Sequence, residues 1–399
     1  MKKSVLVFGA GELQGSLIEN VKRLNYKAIV IDPDSNATCR HLADVFEVVS
    51  ANDFDKTLYI AKKYKIGGII TSSTDKPLRM MAKVAESLNL IFPSINAIRI
   101  ATDKCLMKRV FIKHNIPCAR GFLVNKNFYI NNYSSGVNFP VVVKPVDSSG
   151  SRGVIVCNNI VEMEQAIEQA MRFTMKKKVL IEEYIEGREI SVESLTYGGK
   201  TYIIQITDKL TSLPPYNVEL GHTEPTGLSE HLQNVVKELV IEVIQALSLD
   251  NCACHTEIKI NKDMPYVIEI GARLGGDFIT SHLVPFSTGV NMEQILTLIA
   301  CGEQPFIDKK SLGGSAIRYL SLPPGKVESI SDLNFLKANN FVKRYKLSIK
   351  AGDIVEPVTD SISRHGYVIT IGPSAREAAF TAENMINQIT SSVKITTKI

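Results

Sequence analysis

Lys144 ends the apolar run Val141–Val143, and a glycine-spaced turn, 147–154, follows it. A lysine at the end of a buried strand is unfavourable unless its ammonium reaches water or an anion. Backbone N–H groups in such a turn can line an anion site. A plain hairpin between 141–144 and 154–157 is the alternative. The pattern favours a phosphate-binding loop that can close over its ligand, with these candidate residues: Lys144, Ser148, Ser149, Gly150, Ser151 and Gly153.

A second apolar run, Val179–Ile181, ends in an acidic segment. A carboxylate at such a strand end, with the backbone that follows it, can recognise the amino group and a ring nitrogen of adenine. Here these groups are Glu182 and the backbone of Tyr184 and Ile185. Glu189 begins the next predicted strand, where it can bind ribose hydroxyls. Together with the lysine and its turn, these residues indicate a nucleoside triphosphate site.

Two further carboxylates lie on a predicted hairpin. Its strands, 255–260 and 266–270, would bring Glu257 and Glu269 together on one face. Close carboxylates repel unless a cation lies between them, and hard oxygen ligands that face phosphate suit Mg²⁺. Arg273 follows, where its guanidinium fork can hold a phosphate. An exposed acidic hairpin is the alternative.

Lys104 lies in the first turn of a predicted helix that Thr102 or Asp103 can cap. A positive charge near a helix N-terminus is mildly unfavourable. The position of Lys104 therefore hints at an anionic partner, although a solvated lysine is the simpler alternative.

The first hundred residues alternate between short apolar runs and amphipathic segments. Strands are predicted at 4–8, 28–31, 45–49 and 68–71, and helices to about residue 24, at 56–65 and at 78–88. This βαβ order predicts an open parallel sheet. The turn Gly9–Gly15 reads G-x-G-x-x-x-G and Asp32 ends the second strand, so an NAD(P)-binding protein is one alternative. The other is a small α/β domain that presents helix N-termini to a carboxylate or phosphate of a second substrate.

Composition indicates an ordinary globular protein with several domains. The chain has 399 residues, 45% hydrophobic and 22% charged, and is too long for one small core. The net charge of +5 comes from basic residues spread along the chain, so we expect no nucleic-acid partner. No apolar run approaches the ~20 residues that span a bilayer. We expect no membrane partner, no signal peptide and a cytoplasmic location.

The seven cysteines are scattered and lack paired C-x-x-C spacing. Cys252 and Cys254 would share one face of a strand, with His255 beside them. A metal site there would need ligands from elsewhere in the chain. Buried, reduced thiols in a cytosolic protein are the favoured interpretation.

Taken in chain order, these features resemble the ATP-grasp superfamily of carboxylate–amine and carboxylate–thiol ligases over nearly the whole chain. The resemblance implies that Lys104 and Lys144 hold the α- and β-phosphates of ATP. It also implies that the loop 148–153 closes on the triphosphate. The implied nucleoside contacts are Glu182, Tyr184, Ile185 and Glu189.

The same resemblance implies a reaction. Glu257 and Glu269 would carry Mg²⁺, with Mn²⁺ as an alternative metal. Lys144 and Arg273 would be catalytic, with Arg273 stabilising an acyl-phosphate formed from the substrate carboxylate. An amine would then displace phosphate, giving an amide. Gly271 departs from the family pattern Glu-x-Asn-x-Arg, in which the Asn supplies a further ligand, so the number of metal ions is left open.

Within the superfamily, two regions look like L-amino-acid (dipeptide) ligases: the substrate-side segments 205–225 and a C-terminal region from 314 to 372. The implied substrates are a small carboxylate and an amine, both amino acids. Lys209, His222 and Arg318 are candidates for gripping them, although His222 could be an ordinary loop histidine. Purine-pathway and biotin-carboxylase enzymes of the same layout remain alternatives, as does a nucleotide-binding module without turnover. Dimers are common in this family, so a homodimer is one expectation.

The implied architecture is multidomain, α/β followed by α+β. An open parallel α/β domain would occupy 1–100, and the ATP-grasp lid with its leading helix 101–185. A larger antiparallel α+β catalytic lobe would occupy 186–310, with a C-terminal subdomain, 311–399, packed on it. ATP would lie between the lid and the catalytic lobe, and the acceptor pocket where the lobes meet.

Overall fold

The N-terminal domain is the open parallel sheet that the sequence predicts. The computed structural model describes residues 3–125, 137–148 and 150–396. The elements of this domain are β1 (Ser4–Phe8), α1 (Gly15–Arg23), β2 (Lys27–Asp32), β3 (Val45–Val48), α2 (Phe54–Lys63), β4 (Ile66–Thr71), α3 (Leu78–Leu88) and α4 (Ile95–Ala101). The strand order is β3-β2-β1-β4, and all pairs are parallel. Strands β1, β2 and β4 are largely buried by helices and the neighbouring lobe, whereas the edge strand β3 is only partly buried.

A smaller antiparallel sheet with a leading helix forms the next unit. Its elements are α5 (Lys104–Lys113), β5 (Gly121–Asn125), β6 (Val141–Pro145), β7 (Ile155–Cys157), α6 (Ile160–Ala170) and β8 (Lys178–Glu183). The strand order is β5-β8-β6-β7. Because β6 pairs with β7 from Val141↔Cys157 to Val143↔Ile155, the hairpin exists and the glycine turn is its connection. The hairpin and the predicted loop are therefore compatible.

The largest sheet has eight antiparallel strands. The chain from residue 188 to residue 300 forms five of these strands and the helices between and after them: β9 (Arg188–Tyr197), β10 (Lys200–Thr211), β11 (Glu219–Glu224), α7 (Glu230–Ala246), β12 (Cys252–Asn261), β13 (Met264–Gly271), a π-helical turn at Ile279–Leu283, α8 (Val284–Thr288) and α9 (Met292–Ala300). The remaining elements are β14 (Gly314–Tyr319), β15 (Gly325–Ile330), α10 (Asn334–Ala338), β16 (Val342–Leu347), β17 (Ile354–Val355), β18 (Gly366–Gly372), α11 (Ala375–Ser392) and β19 (Val393–Thr396). Among the helices in the described ranges, none is both long and apolar enough to cross a bilayer.

The region after residue 310 extends the large sheet rather than forming a separate layer on it. The strand order is β13-β12-β9-β10-β11-β14-β18-β16. The boundary predicted at residue 310 therefore passes through one continuous sheet. Helix α11 packs on β14 and β18, while β17, β15 and β19 form a small sheet of their own.

The N-terminal domain is fastened to this sheet at its strand ends. Glu12, in the glycine turn, accepts hydrogen bonds from Lys346 at 2.5 Å and from Tyr367 at 3.0 Å. After β4, the Ser73 N–H donates to the Leu274 carbonyl at 3.1 Å. These contacts place the turn after β1 beside β16 and β18, and the end of β4 beside the segment that follows β13.

Candidate active site

A cavity lies between the smaller sheet and the large sheet, with the glycine turn beside it. Most of the predicted nucleotide and metal residues line it: Lys104, Lys144, Ser148, Gly150, Ser151, Glu182, Tyr184, Ile185, Glu189, Glu257 and Glu269. These side chains come from α5, β6, β8, β9, β12 and β13, whose order in the chain gives no direct sign that they meet. The structure thus brings the predicted set together.

Glu182 is the counter-ion of two lysines. Its carboxylate contacts Lys144 Nζ and lies 2.5 Å from Lys108 Nζ. All three side chains are less than one tenth exposed. Burial opposes ionisation, yet the two ammonium groups hold the pKa of Glu182 below its ordinary value. Both carboxylate oxygens face lysines, and the contact of Glu182 with adenine stays a prediction.

The sequence reading missed Lys108, although a signal was available. Lys108 follows Lys104 by one turn of α5, so both lie on one helix face. They have different partners: Lys104 contacts Glu269, while Lys108 contacts Glu182 and donates to the Ala119 carbonyl at 2.8 Å. One face of α5 thus contacts two carboxylates that line the cavity, Glu182 of β8 and Glu269 of β13.

Tyr184 and Ile185 remain at the cavity surface as predicted. The Tyr184 N–H donates to the Pro140 carbonyl at 3.1 Å, so this amide already has a partner. The Tyr184 ring lies 4.6 Å from Lys259 Nζ, in cation–π geometry. The ring and Ile185 offer apolar surface of the kind that a purine packs against.

The glycine turn adopts the backbone that its composition predicts. Gly150 and Gly153 have φ of +70° and +75°, and Ser151 has +56°, a region that glycine enters at little cost. A Cβ at Gly153 would lie 2.8 Å from the Phe173 ring, whereas Gly150 faces open space up to 3.9 Å. Ser149 lies outside the described residues. The turn is therefore fixed at Gly153 and open at Gly150.

Glu257 and Glu269 are direct cross-strand partners in β12 and β13. This confirms the predicted proximity, although the strands are longer than the sequence indicated. Each carboxylate already faces a cation: Glu269 contacts Lys104, and Glu257 lies 3.2 Å from Lys209 and 3.4 Å from His255. Within the described residues, no three or more Asp, Glu, His or Cys side chains are arranged to hold a metal ion. A cation here would need its remaining oxygens from phosphate or water.

Lys209 is enclosed by carboxylates rather than turned toward a substrate. Its Nζ lies 2.7 Å from Glu189, 3.2 Å from Glu257 and 3.6 Å from Glu219, and the side chain is 2% exposed. These carboxylates outweigh the effect of burial and raise the pKa of Lys209 well above its ordinary value. Lys209 thus neutralises the acidic side of the cavity, and its contact with a substrate stays a prediction. Glu189 lines the cavity as predicted, but paired.

His222 and Arg318 are also held by protein partners. His222 Nε2 lies 3.2 Å from Asp277, which forms a two-pronged pair with Arg364 at 2.7 and 2.8 Å. Arg318 donates to Glu383 at 2.9 Å and to the His222 carbonyl at 3.1 Å. Arg318 therefore links β14, β11 and α11, and its contact with a substrate stays a prediction. Arg364 was missed because its partner Asp277 lies 87 positions away in the chain.

Arg273 pairs with a carboxylate from the N-terminal domain. Its Nε lies 3.2 Å from Asp75 Oδ1 and its Nη2 lies 3.4 Å from Asp75 Oδ2. Burial works against the charge, but Asp75 and Glu257 raise the pKa of the Arg273 guanidinium. The sequence reading missed Asp75, which belongs to a loop after β4 and to no motif.

A second cavity, of about 550 Å³, adjoins the first and shares Lys104, Ser148 and Glu269 with it. Its walls come from three parts of the chain: the N-terminal domain with Asp75, the lid with Lys176, and the end of β13 with Gly271. A ligand in this cavity would lie next to the carboxylates and lysines of the first.

The N-terminal glycine turn satisfies its own amide groups. The Ala10 N–H donates to Asp32 at 2.8 Å, and the Gly11 N–H donates to Gln14 at 3.1 Å. Asp32, the carboxylate that an NAD(P)-binding site would use to bind a ribose, thus accepts a hydrogen bond from the turn instead. This arrangement speaks against the dinucleotide alternative.

The buried thiols behave as a core pair. Cys252 and Cys254 lie in β12 with their sulfur atoms 3.8 Å apart and are buried. His255 lies on the other face of the strand, 2.5 Å from Glu193. The three side chains therefore do not converge on one ligand.

Comparison with known proteins agrees with this geometry. Residues 137–281 match the ATP-grasp domain family, and residues 318–394 match L-amino acid ligase C-terminal domain 2. An uncharacterized protein of Sinorhizobium fredii is 23% identical over 98% of this chain and 84% of its own. Dapdiamide A synthase of Enterobacter agglomerans is 22% identical over 81% of this chain and 79% of its own. The crystal structure of an L-amino acid ligase from Bacillus licheniformis superposes with a TM-score of 0.82 at 21% identity, covering 100% of this chain and 99% of that one.

Proposed function

The chain is a member of the ATP-grasp ligases, an ADP-forming C–N ligase, and we propose that it uses ATP and Mg²⁺ to join an amino-acid carboxylate to the amine of a second amino acid. One observation carries the proposal. A single cavity contains Lys104, Lys144, the glycine turn and the facing carboxylates Glu257 and Glu269. This combination supplies cations for phosphates and hard oxygens for a divalent metal.

The residues divide the work of phosphoryl transfer. Lys104 and Lys144 neutralise the polyphosphate chain, while the glycine turn covers it and excludes water. Glu257 and Glu269 fit Mg²⁺, which when bound would draw charge from the phosphate oxygens. Arg273 lies four residues past Glu269 and supports the charge of an acyl-phosphate.

Bond changes follow from that arrangement. A carboxylate oxygen of the first substrate forms a bond to the γ-phosphorus, and the bond from this phosphorus to the β–γ bridging oxygen breaks, releasing ADP. The amine nitrogen of the second substrate then forms a bond to the acyl carbon. The C–O bond to phosphate breaks, and a proton leaves the nitrogen. The amide, ADP and phosphate account for every atom.

The second cavity is proposed as the acceptor pocket. It lies where the N-terminal domain, the lid and β13 meet, which is where the sequence resemblance places it. It also shares Glu269 and Lys104 with the nucleotide cavity, so a bound amine would lie close to the phosphates. The match of residues 318–394 to an amino-acid ligase domain favours amino acids over the purine-pathway and carboxylase alternatives.

A phosphate-release screen over pairs of amino acids tests the proposal, with mass spectrometry for the amide. With an ¹⁸O-labelled carboxylate, one labelled oxygen should appear in the released phosphate, because the acyl C–O bond breaks in the second step. Lys144→Ala and Glu269→Ala should both abolish ADP release. Stabilisation by NADH but not by Mg²⁺-ATP in thermal unfolding would refute the proposal. Mg²⁺-ATP binding without turnover on any pair would favour a non-catalytic nucleotide module.

A further inference from the structure

The space above Gly271 is already occupied. A Cβ built on Gly271 would lie 3.2 Å from Asp75 Oδ1 and 3.3 Å from Arg273 Cζ, closer than side-chain carbons usually approach such atoms. An asparagine here, as the family pattern has it, would press on both members of the Asp75–Arg273 pair, which would have to shift by a few tenths of an ångström. The absence of a side chain at 271 is thus coupled to the presence of that pair.

Asp75 reaches this position because the segment that follows β4 in the N-terminal domain is hydrogen-bonded to the segment that follows β13. Ser72 bridges to Leu274, the Ser73 N–H donates to the Leu274 carbonyl at 3.1 Å, and the Ser73 hydroxyl lies 3.5 Å from the Gly275 carbonyl. The segment from β4 to Asp75 therefore runs alongside 274–276. This contact fixes the carboxylate relative to Arg273.

Arg273 is held from two sides. Asp75 accepts from Nε and Nη2, while Nη1 donates to the Leu274 carbonyl at 3.2 Å. The side chain is only 12% exposed. A guanidinium fixed in this way keeps its plane constant, which matters because misplacement by about 1 Å can cost ~10²-fold in rate.

We propose that Asp75 is the positioning residue for Arg273, and that glycine at 271 leaves room for the pair, because a Cβ there would press on both of its members. The proposal rests on the proposed function, in which Arg273 supports the acyl-phosphate. Gly271, two residues after Glu269, therefore supplies no side-chain ligand to a metal ion in this chain. The space instead admits an orienting carboxylate from another domain.

Asp75→Ala is the first test. It should lower kcat at least ~10-fold while the KM for ATP changes little, because the guanidinium loses its orientation and not its charge. In the R273K background the same substitution should change kcat less than twofold, since lysine has no fork to orient. An equal loss of kcat in both backgrounds would overturn the proposal. So would an increase confined to the KM for the amine, which would make Asp75 a substrate contact.

A second measurement does not depend on turnover. The Nε–H resonance of Arg273 in ¹⁵N-labelled wild-type enzyme should exchange slowly with water, and this protection should be lost in D75A and in G271N. Asp75→Asn keeps the shape and should retain part of the protection, which also controls for misfolding. If G271N keeps both the protection and full kcat, the space is not reserved and the proposal fails. If wild-type enzyme releases no ADP with any substrate pair, the proposed function fails, while the resonance still decides the pairing.

Discussion

Replacing Glu182 by glutamine would leave two buried ammonium groups without their shared counter-ion. Lys108 and Lys144 are each 8% exposed and Glu182 is 3% exposed, so water cannot take over the role of the carboxylate. Removing one partner of a buried ion pair costs about 3–5 kcal/mol, which is a large part of the 5–15 kcal/mol that stabilises a typical domain. We therefore expect Glu182→Gln to lower the melting temperature strongly and to loosen the small sheet.

Hydrogen exchange gives the local measurement for this prediction. Amides of β6 and β8 should exchange faster in E182Q, because Lys144 and Glu182 join these neighbouring strands. The double variant E182Q/K108M restores the wild-type charge balance around Lys144. It should recover a substantial part of the lost stability. K108M alone, which keeps the Lys144–Glu182 pair, is the matched control and should cost much less.

The counter-ion role can be separated from the adenine role that the sequence suggested. A carboxylate only accepts hydrogen bonds, whereas a glutamine at 182 also donates them. An adenine contact would therefore show as a changed preference between ATP and GTP at unchanged stability. If E182Q has wild-type stability, or if its loss and that of K108M simply add, the reasoning from buried charge is refuted.

Three further predictions follow from other contacts. Glu224 is buried in β11, and burial raises the pKa of its carboxyl to about 8 although Ser287 and Thr207 donate to it. Between pH 4.5 and 8 the folded state therefore retains a proton that the unfolded state has lost, so stability falls as pH rises. The free energy of unfolding should therefore contain a contribution from Glu224 that falls by up to about 1.4 kcal/mol per pH unit in this range. Glu224→Gln should remove this contribution, as measured by urea unfolding at several pH values; an unchanged pH dependence would contradict the raised pKa. Gly153→Ala should impair turnover and stability more than Gly150→Ala, because both have positive φ but only Gly153 meets an aromatic ring; equal effects would show that backbone strain alone matters. Mn²⁺ should bind at least ~10-fold more tightly with a non-hydrolysable ATP analogue present, measured by calorimetry, and K104M should weaken this coupling.

Local pattern was enough to predict most of the elements and several of the site residues. Alternating apolar runs predicted the parallel sheet, and the short turn after β12 set the register that pairs Glu257 with Glu269. The glycine spacing predicted a turn after β6, and Gly150 and Gly153 in that turn have positive φ. In each case the information lies within about thirty residues of chain.

The errors concern partners that are distant in the chain. Asp75 meets Arg273 across 198 positions, and Arg364 meets Asp277 across 87. No periodicity or spacing rule connects such residues, because their meeting depends on how the lobes pack. The same reason explains the boundary near residue 310, since strand pairing between β11 and β14 is a property of the folded sheet. The partners of Lys209 include Glu189 and Glu257, which the sequence predicted as ligand-binding residues but not as neighbours of a lysine.

The ion pairs explain why the nucleotide and the metal would enter this site together. Lys104 contacts Glu269, Lys144 contacts Glu182, and Lys209 lies against Glu257, so the predicted phosphate and metal residues are largely neutralised before any ligand arrives. A triphosphate alone would take Lys104 away from Glu269 and leave that carboxylate facing phosphate oxygens. A divalent cation alone would take Glu269 and leave the buried ammonium of Lys104 without a partner, which is costly. When both bind, Lys104 exchanges a carboxylate for a phosphate and Glu269 exchanges an ammonium for a metal, so every charge keeps a partner of opposite sign.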